Sequence, residues 1–253
     1  MRRSLLVAAA ALVAASTAAF APATAPVQEP SSYAAALADP IRPAEDRARD
    51  AARHTAETLA FAQVAPGQKI ADMIIGGGYF TRIFSAAVGA EGRVTAWQPA
   101  EFIGFQASYG ESLTAVDALP NVDAIRSPIG APEFPSGLDL IFTAQNYHDL
   151  HLAPFPTDTA AKVNEAAFRA LRPGGLYVII DHHAAAGSDL AAADTLHRID
   201  IEAVKREVTA AGFVLDAESD RLAEAADPLT ASVFDPSIRG KTSQFMLRFR
   251  KPA

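Results

Sequence analysis

The stretch Ile70-Ala-Asp72-Met-Ile-Ile-Gly76-Gly77-Gly78-Tyr79-Phe-Thr-Arg decides the fold. An apolar run typical of a buried strand ends in three glycines, and a helix-like run begins at Tyr79. Glycines let a ligand approach the backbone, and a helix N-terminus offers free N–H groups. We therefore predict a strand–turn–helix unit with a nucleotide-type ligand at the end of the strand. The alternative is a tight turn that binds nothing.

The same alternation of strand and helix continues along the chain. Further strand-like runs lie at 93–97, 122–125, 138–143, 176–180, 213–215 and 244–250. Helical stretches of 10–15 residues separate most of them, which predicts right-handed crossovers in a doubly wound α/β sheet with helices on both faces. The last two runs have no helix between them, so the last strand is expected to be antiparallel. We also expect one helix over 43–64 and a mostly helical stretch over 100–119.

The amino-acid composition excludes several classes of protein and several kinds of site. The chain has 253 residues, of which 50% are hydrophobic, so a folded domain is expected rather than disorder. The net charge is −7, and the sequence has no cluster of Lys and Arg residues of the kind that nucleic-acid binding requires. The chain has no cysteine, which excludes disulfides, thiolate nucleophiles and cysteine-bound metals. A small-molecule partner is expected.

The N-terminus has the layout of a secretory leader. Arg2 and Arg3 precede an apolar run over 5–15, and small residues follow as far as Ala23. The run is shorter than the roughly 20 residues of a membrane span, so we expect no stable membrane anchor after cleavage. We predict a signal peptide at 1–23, a linker at 24–43 and a folded domain at 44–253, with export to the periplasm or medium. The alternative for the leader is an ordinary Ala-rich helix.

Polar residues follow two of the central strands. The candidates are Asn146, His148 and Asp149 after 138–143, Asp181 and His182 after 176–180, and His197 in the next connection. Five of the six histidines lie in these segments. Since the carboxyl ends of parallel strands share one edge, we expect a cluster suited to general base catalysis.

Each of these residues has a structural alternative. His148 and Asp149 could order a loop, Asp181 could cap a helix or pair with Arg198, and Asp200 could cap the helix that follows it. The set His148, Asp149, His182 and His197 could also ligate zinc or iron. Their spacing matches no tight metal motif, and we therefore predict no metal.

The chain resembles the class I S-adenosylmethionine-dependent methyltransferases. Asp72, Gly76 and Gly78 match their first motif, and Arg172-Pro173-Gly174-Gly175-Leu-Tyr-Val matches their turn into the fifth strand. The resemblance covers roughly 45–250, and more narrowly it extends to an exported bacterial group of predicted methyltransferases. It implies a Rossmann-like methyltransferase sheet, mostly parallel, and S-adenosylmethionine as cofactor.

The resemblance also implies roles for the candidate residues. The cofactor would lie over Asp72 and the glycine turn, in contact with the following residues: Gly76, Gly77, Gly78, Tyr79, Gln98 and Asn146. The methyl group would pass to an oxygen or nitrogen atom of a small molecule. The catalytic candidates, as base, orienting or positioning groups, are His148, Asp149, Asp181, His182 and His197.

Three positions depart from the family pattern. Ile74 stands in place of the first glycine, Gln98 in place of the acid that holds the ribose, and Ser127-Pro128 where an acid would hold the adenine. Losing two charge-assisted contacts would weaken cofactor binding about tenfold to several hundredfold. A non-catalytic binding protein with this fold is therefore the alternative. A dehydrogenase and an α/β-hydrolase fit less well, since the chain contains neither GxGxxG nor GxSxG.

Overall fold

A seven-stranded sheet forms the centre of the molecule. The computed structural model describes residues 28–188 and 190–253. The strands are β1 Lys69–Met73, β2 Arg93–Pro99, β3 Val122–Ser127, β4 Leu138–Ala144, β5 Leu171–His182, β6 Val214–Ser219 and β7 Gln244–Arg250. Their order across the sheet is β3-β2-β1-β4-β5-β7-β6.

The sheet is mixed. Strands β1 to β5 are parallel, and β7 runs antiparallel to both β5 and β6. After β3 the chain returns to the other side of β1, so the strand order reverses between β1 and β4. Such a reversal leaves a crevice outside the carboxyl ends of the two strands, where ligands bind in open α/β sheets. The predicted sheet is confirmed, including its antiparallel end.

Helices cover both faces of the sheet. They are α1 Ala34–Ala38, α2 Ala44–Arg47, α3 Thr55–Phe61, α4 Tyr79–Val88, α5 Ala100–Phe105, α6 Ser108–Asp117, α7 Thr159–Ala170, α8 Ala191–Leu196 and α9 Ile201–Ala210. One apolar core includes Phe102, Val163 and Val204 from α5, α7 and α9. A second core on the opposite face includes Leu59 and Phe84 from α3 and α4. The two cores fix the sheet edge at which the site lies.

The helix expected over 43–64 is broken, and that expectation was wrong. Between α2 and α3, His54 adopts φ +43°, and the chain makes a turn. The Asp50 carboxylate accepts hydrogen bonds from Arg42 and from the Tyr79 hydroxyl, while its carbonyl accepts one from the Thr55 N–H. These bonds to distant side chains outweigh helix propensity. The stretch over 100–119 also divides, into α5 and α6, because Gln106 between them is extended.

Residues 28–43 pack against the domain. A 3₁₀ helix, Pro30–Tyr33, leads into α1, and the hydroxyl of the buried Tyr33 donates to the carbonyls of Leu59 at 3.2 Å and Val64 at 2.8 Å. This part of the expected linker therefore belongs to the folded body. The signal peptide predicted at 1–23 lies outside the described residues. Among the residues that the structure describes, no helix is long and apolar enough to span a bilayer.

Candidate active site

The turn after β1 has an unusual backbone. Gly76 and Gly78 have φ of +54° and +75°, and Ile74 has φ +62°. A β-branched residue in this region costs about 1–3 kcal/mol, so the surrounding structure must hold it there. The Ile74 N–H donates to the Trp97 carbonyl at 2.9 Å, and Asn146 Nδ2 donates to the Ile74 carbonyl at 3.0 Å. Ile74 thus adopts the conformation that a glycine adopts more easily.

The three glycines differ in what surrounds them. A Cβ atom at Gly76 or Gly77 would meet no heavy atom within 4 Å, so open space lies above both residues. A Cβ at Gly78 would lie 2.7 Å from Val116 Cγ1. Gly76 and Gly77 can therefore admit a ligand, whereas Gly78 is required by packing and by its positive φ.

A cavity opens above the turn, at the carboxyl ends of β1 and β4. Its lining is Arg49, Arg53, Asp72, Ile74, Ile75, Gly76, Gly77, Tyr79, Phe80, Ala144, Gln145 and Asn146. Five of the predicted cofactor residues, Asp72, Gly76, Gly77, Tyr79 and Asn146, are among them. Gly78 and Gln98 are not.

Two arginines border the cavity, and the sequence analysis missed them. The Arg53 guanidinium lies 4.7 Å from the centre of the Tyr79 ring and donates to Gln145 Oε1 at 3.1 Å. Arg49 lies 5.2 Å from the same ring centre. Burial and the charge of Arg49 lower the pKa of Arg53 to about 10, so Arg53 remains a cation at neutral pH. The three arginines over 47–53 were the available sequence signal for this cationic border. The turn at His54, which places them near the glycines, could not be seen in the sequence.

Asp72 and Tyr79 form the inner wall of the cavity. Asp72 is buried, and its Oδ2 accepts a hydrogen bond from the Thr81 hydroxyl at 2.5 Å. Burial raises the pKa of Asp72 to about 7. The Tyr79 hydroxyl donates to Asp50 at 2.5 Å and contacts the Thr55 hydroxyl at 2.6 Å. Tyr79 therefore offers its ring, rather than its hydroxyl, to a ligand.

Gln98 is buried beside the turn. Its Oε1 accepts from the Gly76 N–H at 3.0 Å. Within the described part of the chain its Nε2 has no hydrogen-bond partner, although it is buried. Close by, the Trp97 indole donates to the buried Ser127 hydroxyl at 2.8 Å. Gln98 and Ser127, at the ends of β2 and β3, therefore supply an amide and a hydroxyl in place of carboxylates.

These residues fit S-adenosylmethionine at one end better than at the other. Open space over Gly76 and Gly77 and the cations of Arg49 and Arg53 suit the methionine part, whose carboxylate needs positive partners. At the ribose end, Gln98 stands where the family has an acid, and it is fully buried and does not line the cavity. Its unpaired Nε2 costs about 1–3 kcal/mol as a buried donor without a partner.

A polar cluster lies next to the cavity, around Asp181 at the end of β5. His148 stands on a 3₁₀ helix, His148–His151, after β4. Its Nδ1 donates to Asp181 Oδ1 at 2.8 Å, and its backbone N–H donates to Oδ2 at 2.7 Å. Asp181 is fully buried, so these bonds fix the imidazole firmly. The expected alternative of an Asp181–Arg198 pair is wrong, because Arg198 pairs with Asp227 at 2.9 Å.

Asp149 and His197 complete the cluster on the other side of the His148 ring. His148 Nε2 lies 3.3 Å from Asp149 Oδ1 and 3.3 Å from His197 Nδ1. Asp149 Oδ1 and His197 Nδ1 are 4.0 Å apart. His197 has φ +53° at the end of α8, and 29% of its side chain is exposed, so the cluster reaches solvent through this residue.

The charges in the cluster are coupled. Burial lowers the pKa of His148, but the charges of Asp181 and Asp149 outweigh it and raise that pKa to about 9. Burial tends to raise the pKa of Asp181, yet His148 holds it below its usual range. Burial raises the pKa of Asp149 to about 6, and it lowers the pKa of His197. At neutral pH Asp149 and His197 are therefore the groups that can accept a proton.

His182 lies near the cluster, but its ring forms its hydrogen bond outside it, with Thr242. Its Nδ1 is 2.9 Å from the Thr242 hydroxyl, and its ring centre is 6.2 Å from that of His148. Burial lowers its pKa to about 4, so the ring is neutral. The structure thus brings His148, Asp149, Asp181 and His197 together. Asp200 caps α9 by accepting from the Glu202 N–H at 3.0 Å, as one alternative proposed.

Aromatic side chains of α5, α6 and the loop before α7 form a group of their own. Phe105 is 63% exposed, and its ring centre lies 6.0 Å from Phe102 and 6.1 Å from Phe155. Tyr109 packs 6.4 Å from Phe102, and burial raises the pKa of Tyr109 with a contribution from the charge of Asp149. Of these rings, Tyr109 is thus close enough to the cluster for the charge of Asp149 to act on it.

Comparison with known proteins gives similarity in structure only. No protein-family model matches the chain, and the search of curated proteins found no relative. A SAM-dependent methyltransferase from Aquifex aeolicus superposes with a TM-score of 0.54 at 20% identity, over 88% of this chain and 98% of that one.

Two other solved structures are similar. The [4+2]-cyclase SpnF has a TM-score of 0.57 at 16% identity, over 80% of this chain and 81% of that one. A TehB-like SAM-dependent methyltransferase from Corynebacterium glutamicum has a TM-score of 0.51 at 15% identity, over 83% and 100%. At these identities the similarity shows the fold alone, and SpnF illustrates that one fold serves different reactions. The chain has the Rossmann-like fold of the class I S-adenosylmethionine-dependent methyltransferases.

Proposed function

We propose that this protein transfers the methyl group of S-adenosylmethionine to an oxygen or nitrogen atom of a small molecule. The observation that carries the proposal is the cavity over Gly76 and Gly77, bordered by Arg49 and Arg53 and adjacent to the polar cluster. Asn146 joins the two, because it lines the cavity and precedes His148 by two residues.

The residues of this chain would contribute binding, orientation and proton transfer. When bound, S-adenosylmethionine supplies an electrophilic methyl group. Asp149 accepts the proton of the acceptor, since a pKa of about 6 suits a general base at neutral pH. His148, held by Asp181, keeps a positive charge against the Asp149 carboxylate, and the ring of Phe105 covers an apolar part of the acceptor.

Cofactor binding is the first test. Gly77 has no positive φ and has open space around its Cβ position, so Gly77→Asp is tolerated by the fold and adds a negative side chain to the cavity. Calorimetry should detect S-adenosylmethionine binding to the wild-type protein and its loss in Gly77→Asp. Gly104→Asp, at an exposed helical glycine with free space, is the matched control and should bind normally. A folded wild-type protein that gives no heat at millimolar cofactor would contradict the proposal.

Catalysis is the second test. Radiolabelled methyl transfer to a panel of small phenols, amines and carboxylic acids should identify an acceptor. Asp149→Asn should then lower kcat by about 10²–10⁴-fold, as is typical when a general base is lost. An Asp149→Asn variant with unchanged kcat would exclude this residue as the base.

The second candidate is a ligand-binding protein without catalysis. The observation that favours it is Gln98, which is buried and bonded to Gly76 at the position where the family that the chain resembles has an acid. This candidate predicts cofactor binding, or binding of another nucleoside, with no methyl transfer to any acceptor in the panel. On this candidate, the wild-type protein and Asp149→Asn give the same result in the activity screen, because neither transfers a methyl group.

We also propose that the protein is exported through residues 1–23. The support is the leader sequence, with its basic start and short apolar run. Mass spectrometry of the protein from the periplasm or medium should find a mature N-terminus at residue 20 or 24. An intact N-terminus and a cytoplasmic location would contradict export.

A further inference from the structure

We propose that His148, Asp149 and His197 bind a divalent transition-metal ion. The sequence analysis predicted no metal, because the three residues have no tight spacing along the chain. The fold brings them together from two connections, after β4 and after α8. Metal binding here does not require the methyl transfer proposed above, but an ion held by Asp149 would take the place of that carboxylate as the group that activates the acceptor.

The distances between the donor atoms carry the inference. Nε2 of His148, Oδ1 of Asp149 and Nδ1 of His197 form a triangle with sides of 3.3, 3.3 and 4.0 Å. A tetrahedral zinc ion with bonds of about 2.0–2.1 Å to its ligands spaces those ligands about 3.4 Å apart. One ion can therefore reach all three atoms with shifts of a few tenths of an ångström.

The orientation of His148 supports metal binding. Its Nδ1–H donates to the fully buried Asp181, so a neutral ring presents the lone pair of Nε2 toward Asp149 and His197. A metal-binding histidine usually donates its other ring N–H to a carboxylate in this way. Without an ion, the same position requires a proton on Nε2, because a lone pair would otherwise face the Asp149 carboxylate. A proton and a metal ion thus compete for Nε2.

The site is open on one side. The side chains of His148 and Asp149 are 4% and 12% exposed, while that of His197 is 29% exposed and its ring packs 4.7 Å from the exposed Phe234. Three protein ligands with a remaining open position are the arrangement found in catalytic rather than structural zinc sites. Two imidazoles and one carboxylate suit zinc, iron or a similar ion.

An ion here would also affect the acceptor of the methyl group. An ion held by His148, Asp149 and His197 would make a bound hydroxyl group lose its proton more readily. Oxygen nucleophiles are therefore the acceptors that an ion at this site would favour. The inference therefore narrows the class of substrate when the protein is loaded with metal.

Metal titration tests the proposal. Protein without an affinity tag is freed of metal with a chelator and titrated with Zn²⁺ in a calorimeter, and Co²⁺ is added in parallel to read its visible absorption. We expect one saturable site and the intense absorption of tetrahedral Co²⁺. His197→Ala should weaken Zn²⁺ binding at least 100-fold, which exceeds the roughly 10–100-fold typical for loss of a supporting residue.

Asp181→Asn and His151→Gln complete the design. Asp181 is a positioning residue, so Asp181→Asn should weaken Zn²⁺ binding about 10–100-fold. His151 lies on the same 3₁₀ helix but its Nε2 faces Glu207 at 3.1 Å, so His151→Gln should bind as the wild type does. The deciding variant is His197→Ala. The His197 side chain is partly exposed, so its removal should leave the protein folded, and circular dichroism verifies the fold. No saturable Zn²⁺ binding by the wild type, or equal binding by His197→Ala, would overturn the proposal.

Discussion

Replacing Asp72 by asparagine should remove a pH-dependent loss of stability. The carboxyl group is buried beneath the glycine turn, and Thr81 supplies its single side-chain hydrogen bond. Burial raises its pKa from 3.8 to about 7 in the folded protein. In the unfolded chain the group ionises near its ordinary value. Between these two pKa values the folded state binds more protons, so stability falls as pH rises and levels off above about pH 7.

The magnitude follows from the shift. One pKa unit corresponds to about 1.4 kcal/mol, so full ionisation of Asp72 costs roughly 4 kcal/mol. About 2–3 kcal/mol of this loss falls between pH 5 and pH 8. Asparagine retains the oxygen that accepts from Thr81 and carries no charge. Relative to the wild type, Asp72→Asn should therefore gain about 2–3 kcal/mol over this range.

Urea unfolding at pH 5, 6, 7 and 8 measures the effect. The control is Asp216→Asn: Arg248 and Arg250 hold the pKa of Asp216 below its usual range, which outweighs its partial burial. Both its folded and unfolded pKa values lie below 5, so the difference between Asp216→Asn and the wild type should not change with pH. If the difference between Asp72→Asn and the wild type is equally flat, the reasoning about burial is refuted.

Two further changes test the packing around the site. Arg198 and Asp227 form a fully buried ion pair, so Arg198→Met should lower the free energy of unfolding by about 3–5 kcal/mol, and adding Asp227→Leu should recover part of it. A double variant no more stable than Arg198→Met, measured in urea, would show that the buried charge is not the cause. Gly78→Ala should cost more than about 1 kcal/mol, because the new Cβ meets Val116 Cγ1 at 2.7 Å and φ is +75°. Gly77→Ala is its control and should be nearly neutral, whereas equal losses would contradict the contact.

The sheet could be predicted from the sequence because its signals are local. Apolar runs, the glycines at 76–78 and the amphipathic run of α4 each identify their own element. The run over 244–250 was assigned to its observed bounds, and α4 begins at Tyr79 as predicted. The doubly wound sheet follows from the crossover rule and from the resemblance. These features do not depend on which distant side chain meets which.

The site could be predicted only in part, because its geometry depends on distant contacts. The cluster of His148, Asp149, Asp181 and His197 followed from the rule that parallel strands share a carboxyl edge. The partner of Asp181 could not be predicted. Arg198 forms its ion pair with Asp227, which lies in a polar connection without any periodic pattern. The two arginines of the cavity were missed for a similar reason: the break in their helix depends on bonds from Arg42 and Tyr79 to Asp50.

The wall formed by Arg49 and Arg53 has a consequence for the rate at which a ligand exchanges. Arg49 and Arg53 belong to residues 47–54, none of which is buried, and bonds such as those of Asp50 to Tyr79 and of Arg53 to Gln145 hold them to the rest of the domain. Segments with few buried contacts open more often than the core strands. Ligand release would therefore follow local opening of residues 47–54 while the sheet stays closed. Amide hydrogen exchange in this segment should slow when a ligand binds, and the central strands should exchange as before.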